Sequence, residues 1–269
     1  MPLRRPVIDR ARTSARLRAL DLRDSVARRR DRLVPPRRLD FVGHSDFAAT
    51  GDEFLTHFVE LGGLQPDEHV LDVGCGIGRM ARPLSGYLGA AGSYDGFDVN
   101  RDGIRWCARR YRAHRNFHFE VADLFNARYN PQGSQRADEF RFPYDDDSFG
   151  FVFATSVFTH LLEADATQYL AECARVLAPG GRLFATFFLL DESSRALIAA
   201  GKAGLAFLDT DARVAILDEA LPEEAVAYDE EWVSEALRSN GLDLTAIHPG
   251  SWSGRDEFVS FQDIVVAHA

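Results

Sequence analysis

Three glycines at steps of two, Gly74, Gly76 and Gly78, follow the apolar pair Val70-Leu71 and the acid Asp72. Glycine leaves no side chain between backbone and ligand and permits left-handed dihedrals, and the amides opening a following helix offer unpaired donors. Such a turn binds a cofactor, and its spacing narrows which one. A dinucleotide fingerprint repeats its last glycine three residues after the second, at position 79, where this chain has Arg79. Asp72 ends the strand where a carboxylate meets a cationic amine. Together these favour S-adenosylmethionine, which carries an ammonium and no pyrophosphate. Asp98 stands 20 residues after Gly78, the place from which a strand-end carboxylate accepts both ribose hydroxyls. His160 adds an imidazole, which titrates near neutral pH and can take a proton from an acceptor hydroxyl.

The elements that must hold these residues alternate along the chain. Residues 46–61 read as a helix with Phe47, Phe54, Leu55, Phe58 and Leu61 on one side, stopped by Gly62-Gly63. Strands follow at 70–73, 93–99 and 117–121, separated by helices at 77–88 and 102–111. Residues 126–148 break the rhythm with Pro131, Gly133, Pro143 and the triplet Asp145-Asp146-Asp147, and long loops inside compact domains are usually functional or disordered. Order resumes with a strand at 149–154, a helix at 164–177, a turn at Pro179-Gly180-Gly181 and a strand at 182–190. Residues 191–227 read as a helical, acidic insertion, 230–239 as a last helix, and 242–248 with 258–267 as a closing strand pair. This rhythm predicts an α/β, doubly wound, mostly parallel sheet with ligands at the carboxyl ends of its strands.

Composition sets the outer limits. A chain of 269 residues, 46 % hydrophobic, buries a sizeable core, and no apolar run nears the roughly 18 residues of a membrane span. A soluble, cytoplasmic protein is expected, with its three cysteines reduced and no metal cluster. Residues 1–38 hold 13 Arg against four Asp, about +9, and the remainder carries about -19. An acidic body argues against nucleic acid as a partner. The Arg-rich head reads as a solvated or self-docked extension, or as a basic amphipathic helix on anionic lipid or an acidic partner.

Four segments in order carry a resemblance to the class I S-adenosylmethionine-dependent methyltransferases: residues 70–78, Gly96-Phe97-Asp98-Val99, Val121-Ala122-Asp123-Leu124 and Leu177-Ala178-Pro179-Gly180-Gly181-Arg182. The resemblance runs from about residue 41 to the end, and divides the chain into a 1–40 Arg-rich extension, whose own pattern of apolar residues reads as helical, and a 41–269 methyltransferase domain. It implies a seven-stranded sheet whose last strand is antiparallel. It also implies S-adenosyl-L-methionine as cofactor, held by Asp72, Gly74, Cys75, Gly76, Gly78, Asp98, Val99, Asp123, Leu124 and Thr155. In that set Asp123 accepts from the adenine amine while the Leu124 amide donates to a ring nitrogen. Cys75 contributes backbone while its thiol packs, and Arg79 either caps the pocket or joins a surface ion pair.

Residues 154–161, Ala-Thr-Ser-Val-Phe-Thr-His-Leu, follow the fourth strand and face the reactive methyl. They lack the Asp-Pro-Pro-Tyr type of sequence of enzymes acting on exocyclic base amines, the Pro-Cys nucleophile of those acting on ring carbons, and the acidic pair of magnesium-dependent catechol enzymes. His160 is the catalytic candidate, set against a role in packing the helix start or touching the donor. Phe41 to Thr50, Tyr129-Asn130, Phe187-Phe188, Tyr228 and Trp252 to Arg255 are candidates for an acceptor pocket or for core. The reading is a methyltransferase acting on a small-molecule acceptor, at an oxygen of a sugar, glycolipid or other bacterial secondary metabolite. An NAD(P)-dependent oxidoreductase and a non-catalytic donor-binding regulatory subunit are the alternatives.

Overall fold

The computed structural model describes residues 31–37, 39, 46–126 and 130–269. The helical extension and its expected lipid or acidic-partner contact fall on residues 1–38, mostly outside that set. Within it, Leu33, Val34 and Leu39 pack against the body beside the first helix. No helix among the described residues is long and apolar enough to cross a membrane.

Helix α1, Phe47–Glu60, starts where Asp46 accepts from the Ala48 and Ala49 amides at 2.9 and 3.0 Å, an N-cap that satisfies two orphan donors. Its apolar face lays Phe58 against Phe153 with ring centroids 4.4 Å apart and against Phe184 at 5.0 Å. Phe58 is fully buried, so Phe58→Ala costs roughly 3–5 kcal/mol. Gly51 lets α1 sit on the glycine turn, because a Cβ there meets the Arg79 carbonyl oxygen at 2.6 Å.

The strands are β1 His69–Val73, β2 Ser93–Asp98, β3 Phe117–Val121, β4 Phe149–Ala154 and β5 Leu177–Phe187, with α2 Ala81–Tyr87, α3 Arg101–Arg110 and α4 Glu163–Val176 between them. After β5 come β6 Leu189–Leu190, α5 Glu192–Ala199, β7 Val214–Ile216, β8 Val226–Asp229, α6 Glu230–Ser239, β9 Asp243–His248 and β10 Asp263–His268. The main sheet has seven strands in the order β3-β2-β1-β4-β5-β10-β9. β1 to β5 pair in parallel, and β10 runs antiparallel to both β5 and β9. The order reverses between β1 and β4, the switch point outside which open α/β sheets bind ligands. One apolar layer joins α1, α2 and α3 to the sheet, and a second joins α4 and α6 to its other face.

The expected turn at 179–181 lies inside β5, the expected 182–190 strand ends at Phe187 with Leu189–Leu190 in another sheet, and three further elements differ from the sequence reading. The helix expected from residue 77 begins at Ala81, because the chain keeps turning through Gly78 with φ +77°. The insertion holds a helix but also β7 and the start of β8, and β8 pairs with both β6 and β7 in a separate three-stranded sheet. That sheet closes a small core of Phe188, Leu190, Phe207, Ala215 and Trp252. Residues 258–262, expected in the last strand, instead run beside 249–252. The Ser251 amide donates to the Ser260 carbonyl at 3.0 Å and the Trp252 amide to that of Phe261 at 3.1 Å.

Candidate active site

The glycine turn is tied to the end of β2. The Gly74 and Cys75 amides both donate to the Phe97 carbonyl at 3.0 Å, and the Gly76 amide donates to Asp98 Oδ2 at 2.8 Å. Asp98 Oδ1 accepts from the Asn100 amide at 2.7 Å. Burial pushes the Asp98 carboxyl above its ordinary range, and these two amides oppose that. Each oxygen retains a lone pair, as a ribose diol requires. Two of the glycines are also required by the chain's own packing. A Cβ on Gly74 meets Val157 Cγ2 at 2.5 Å, and one on Gly78 meets Cys107 Sγ at 3.0 Å. The amides of Gly74, Cys75, Gly76 and Gly78 are all taken by carbonyls and a carboxylate of the chain itself.

Asp72 is 1 % exposed. Its Oδ2 accepts from Tyr94 Oη at 2.6 Å, and its Oδ1 has no hydrogen-bond partner among the described residues. Burial pushes its carboxyl up to about 8; the Tyr94 hydrogen bond works against this and the Asp98 charge adds to it. A buried carboxyl oxygen with nothing to accept is costly unless a ligand completes it. An ammonium group has the chemistry that is missing, so this atom and the Asp98 cradle fit S-adenosylmethionine.

The remaining donor candidates are distributed around the same edge. Cys75 is 5 % exposed, and burial raises its thiol pKa, so its side chain packs. Asp123 follows β3, where Ser134 Oγ donates to Oδ2 at 2.7 Å and Arg101 to Oδ1 at 2.6 Å, holding the carboxyl below its usual range. Leu124 is buried, and its carbonyl accepts from Asn130 Nδ2 at 2.8 Å. Val99 and Thr155 are half-buried beyond the ends of β2 and β4. Arg79 is half-buried under α1. Among the described residues, no group of three or more His, Cys, Asp or Glu is arranged to hold an ion.

His160 closes the 3₁₀ turn Phe158–His160 beyond β4. Its Nδ1 lies 2.9 Å from the Glu223 carbonyl oxygen, on the insertion. A carbonyl only accepts, so Nδ1 carries the proton and Nε2 the lone pair of the neutral ring. Asn126 Nδ2 donates to Glu223 Oε2 at 3.2 Å, which ties the insertion to the loop after β3. Tyr228 anchors the turn from below, donating to the Phe158 carbonyl at 2.9 Å and also contacting that of Leu161.

Most of the aromatic acceptor candidates are core. Phe187, Tyr228 and Trp252 are fully buried and Phe188 is 4 % exposed. Trp252 Nε1 donates to Asp263 Oδ2 at 2.6 Å, an oxygen that also accepts from the Leu189 amide, while the Gly250 amide donates to Oδ1. Asp263 thus clamps the loop before β10 to the end of β5, a role no motif signalled. Arg255 Nη2 donates to Asp191 at 2.6 Å. Phe41 to Ser45 and Tyr129 lie outside the described residues. Sequence reasoning also missed Tyr94, Glu223, Thr186 and Gln262, whose partners are distant in the chain.

The fold and this edge have known counterparts. A family model described as a methyltransferase domain matches residues 71–185. The 27-O-demethylrifamycin SV methyltransferase of Amycolatopsis mediterranei is 31% identical over 216 residues, 73% of this chain and 73% of that protein. The methyltransferase GfsG of Streptomyces halstedii is 32% identical over 136 residues, 51% of this chain but only 43% of the relative's length. A solved S-adenosylmethionine-dependent methyltransferase from Methanosarcina mazei shares the fold with a TM-score of 0.51 at 19% identity, covering 78% of this chain and 96% of that one. The chain belongs to the S-adenosylmethionine-dependent methyltransferase family. Family membership sets the oxidoreductase reading aside.

Proposed function

We propose that this protein transfers a methyl group from S-adenosylmethionine to an oxygen of a small-molecule acceptor, a sugar, glycolipid or other secondary metabolite. The observation that carries the donor half is the unpartnered, buried Oδ1 of Asp72 beside an Asp98 carboxylate already oriented by the Gly76 and Asn100 amides. The acceptor half draws support from the rifamycin relative, whose name is that of an O-methylating enzyme. Bound donor supplies a methyl made electrophilic by its sulfonium charge.

The chain's residues then bind, orient and move one proton. Asp98 accepts the ribose hydroxyls, Asp72 faces the ammonium, and the Asp123-Leu124 segment takes the adenine edge. His160 Nε2 removes the acceptor hydroxyl's proton, with Nδ1 held by the Glu223 carbonyl so that the ring stays in the basic tautomer. Alignment and exclusion of water provide the rest of the rate. Separate titrations with S-adenosylhomocysteine and NADH, followed by an acceptor panel read by mass spectrometry for one added methyl, test the proposal. Binding of the first ligand and a methylated hydroxyl product are expected. Donor binding with no product across the panel favours the non-catalytic regulatory subunit.

A further inference from the structure

Apart from Thr155 just beyond β4, the donor candidates take up the carboxyl ends of β1, β2 and β3, and the turn after β4, the end of β5 and the start of β10 make up the next part of that edge. Gln262 joins all three strands there. Its Oε1 accepts from Thr186 Oγ1 at 2.6 Å and from Ser156 Oγ at 3.0 Å. Thr186 Oγ1 itself accepts from the Ser156 amide at 2.8 Å, so its own proton is the one given to Gln262. Gln262 therefore presents its oxygen to the two hydroxyls and keeps both NH2 protons to donate, with no partner for them among the described residues.

Of the residues just before Gln262, three are apolar and open, while Ser260 between them is buried. Phe258 is 55 % exposed, Phe261 54 % and Val259 37 %. Their backbone is nevertheless held: the Val259 amide donates to the Pro249 carbonyl at 3.0 Å, and the Phe261 carbonyl takes the Trp252 amide. The Phe261 ring also meets Phe188 edge-on with centroids 6.1 Å apart. A fixed shelf of large apolar side chains left in water marks a binding surface, and this one immediately precedes Gln262 in the chain.

We propose that Gln262 and the Phe258, Val259 and Phe261 shelf form the acceptor subsite, and that the acceptor is a hydroxylated molecule with an extended apolar body. The Gln262 NH2 donates to an acceptor oxygen near the end of β4, and the hydrocarbon lies on the shelf. This rests on the methyl-transfer reading of the site.

The test titrates the S-adenosylhomocysteine-loaded full chain with n-octyl β-D-glucoside below its micelle concentration, and separately with glucose, following the Gln262 side-chain amide and residues 258–261 by 15N NMR. Octyl glucoside is expected to shift these signals saturably, while glucose leaves them unmoved. Gln262→Glu keeps an oxygen for Thr186 and Ser156 but removes the NH2 donor; it and the pair Phe258→Ser with Phe261→Ser should each weaken the glycoside by about tenfold or more. Their affinity for S-adenosylhomocysteine should stay within about twofold of the parent, a shift too small to signal a lost hydrogen bond. Equal glycoside affinity in the variants, saturation mapped elsewhere, or no saturation overturns the subsite. A parent chain that does not bind S-adenosylhomocysteine overturns the donor reading instead.

Discussion

The two halves of the sheet edge are joined over very different lengths of chain. On the donor side, Tyr94 to Asp72, Gly76 to Asp98 and Arg101 to Asp123 are each bonded across 22 residues. On the proposed acceptor side, His160 reaches Glu223 across 63 residues, Tyr228 reaches Phe158 across 70, and Gln262 reaches Thr186 and Ser156 across 76 and 106. A span of 22 residues is one strand-helix-strand step, so each donor contact needs only that step to be in place. The longer contacts require β4, β5, the small sheet and β10 to be in place together, and they depend on which loops this chain inserts. The family model covers residues 71–185, which hold all three donor-side contacts, whereas Glu223, Tyr228 and Gln262 lie beyond it.

That division predicts which measurements separate. His160→Ala should lower turnover by roughly a hundredfold or more while S-adenosylhomocysteine affinity, read by calorimetry, is unchanged. A loss of only a few fold retires the base and returns His160 to a packing role. Asp98→Ala works from the other side. It removes the acceptor of two backbone amides as well as the ribose contact, and donor affinity should fall by about a hundredfold.

Asp72 supplies a pH test within the donor half. Its carboxyl lies near 8 in the folded chain, against about 4 in an unfolded one. Between those values the folded state holds the extra proton, so this group makes stability fall as pH rises from about 4 to about 8, and contributes no further slope above. Asp72→Asn should flatten that slope, an effect on the order of a few kcal/mol by pH 8, seen in urea unfolding at pH 5 and pH 8. The same slope in both proteins refutes the assignment. Smallest is Tyr228→Phe, which deletes the hydroxyl under the His160 turn. It should cost about 1–2 kcal/mol and lower turnover a few fold with donor affinity intact.

Much of the fold was legible in the pattern of apolar residues. The helix from Asp46, the strands at Phe117–Val121 and Phe149–Ala154 and the helix Glu230–Ser239 all stand within a residue of where that pattern puts them. The glycine turn and Asp98 were legible because their spacing is a property of one βα step. The aromatic acceptor candidates were not, since Phe187, Tyr228 and Trp252 look the same in sequence whether they line a pocket or fill a core. The small sheet was hidden because its strands are two to four residues long, too short to show alternation. Tyr94 was read only as a strand residue, and its bond to Asp72 becomes visible once β1 and β2 pair in register, with Asp72 opposite Gly96.

By itself, the order of residues determined a parallel α/β sheet, a turn with the spacing of a methyl-donor site and an acid at the end of the next strand. Those features are set by local periodicity and by steps of one strand and one helix. Only the tertiary structure decided that Asp72 is buried with an unpartnered oxygen, that His160 leans on Glu223, and that Gln262 stands between β4 and β5. The physical reason is burial and long-range pairing: whether a polar group is completed depends on atoms that arrive from 60 to 100 or so residues away, on the order of several strand-helix steps, and no local spacing encodes their arrival.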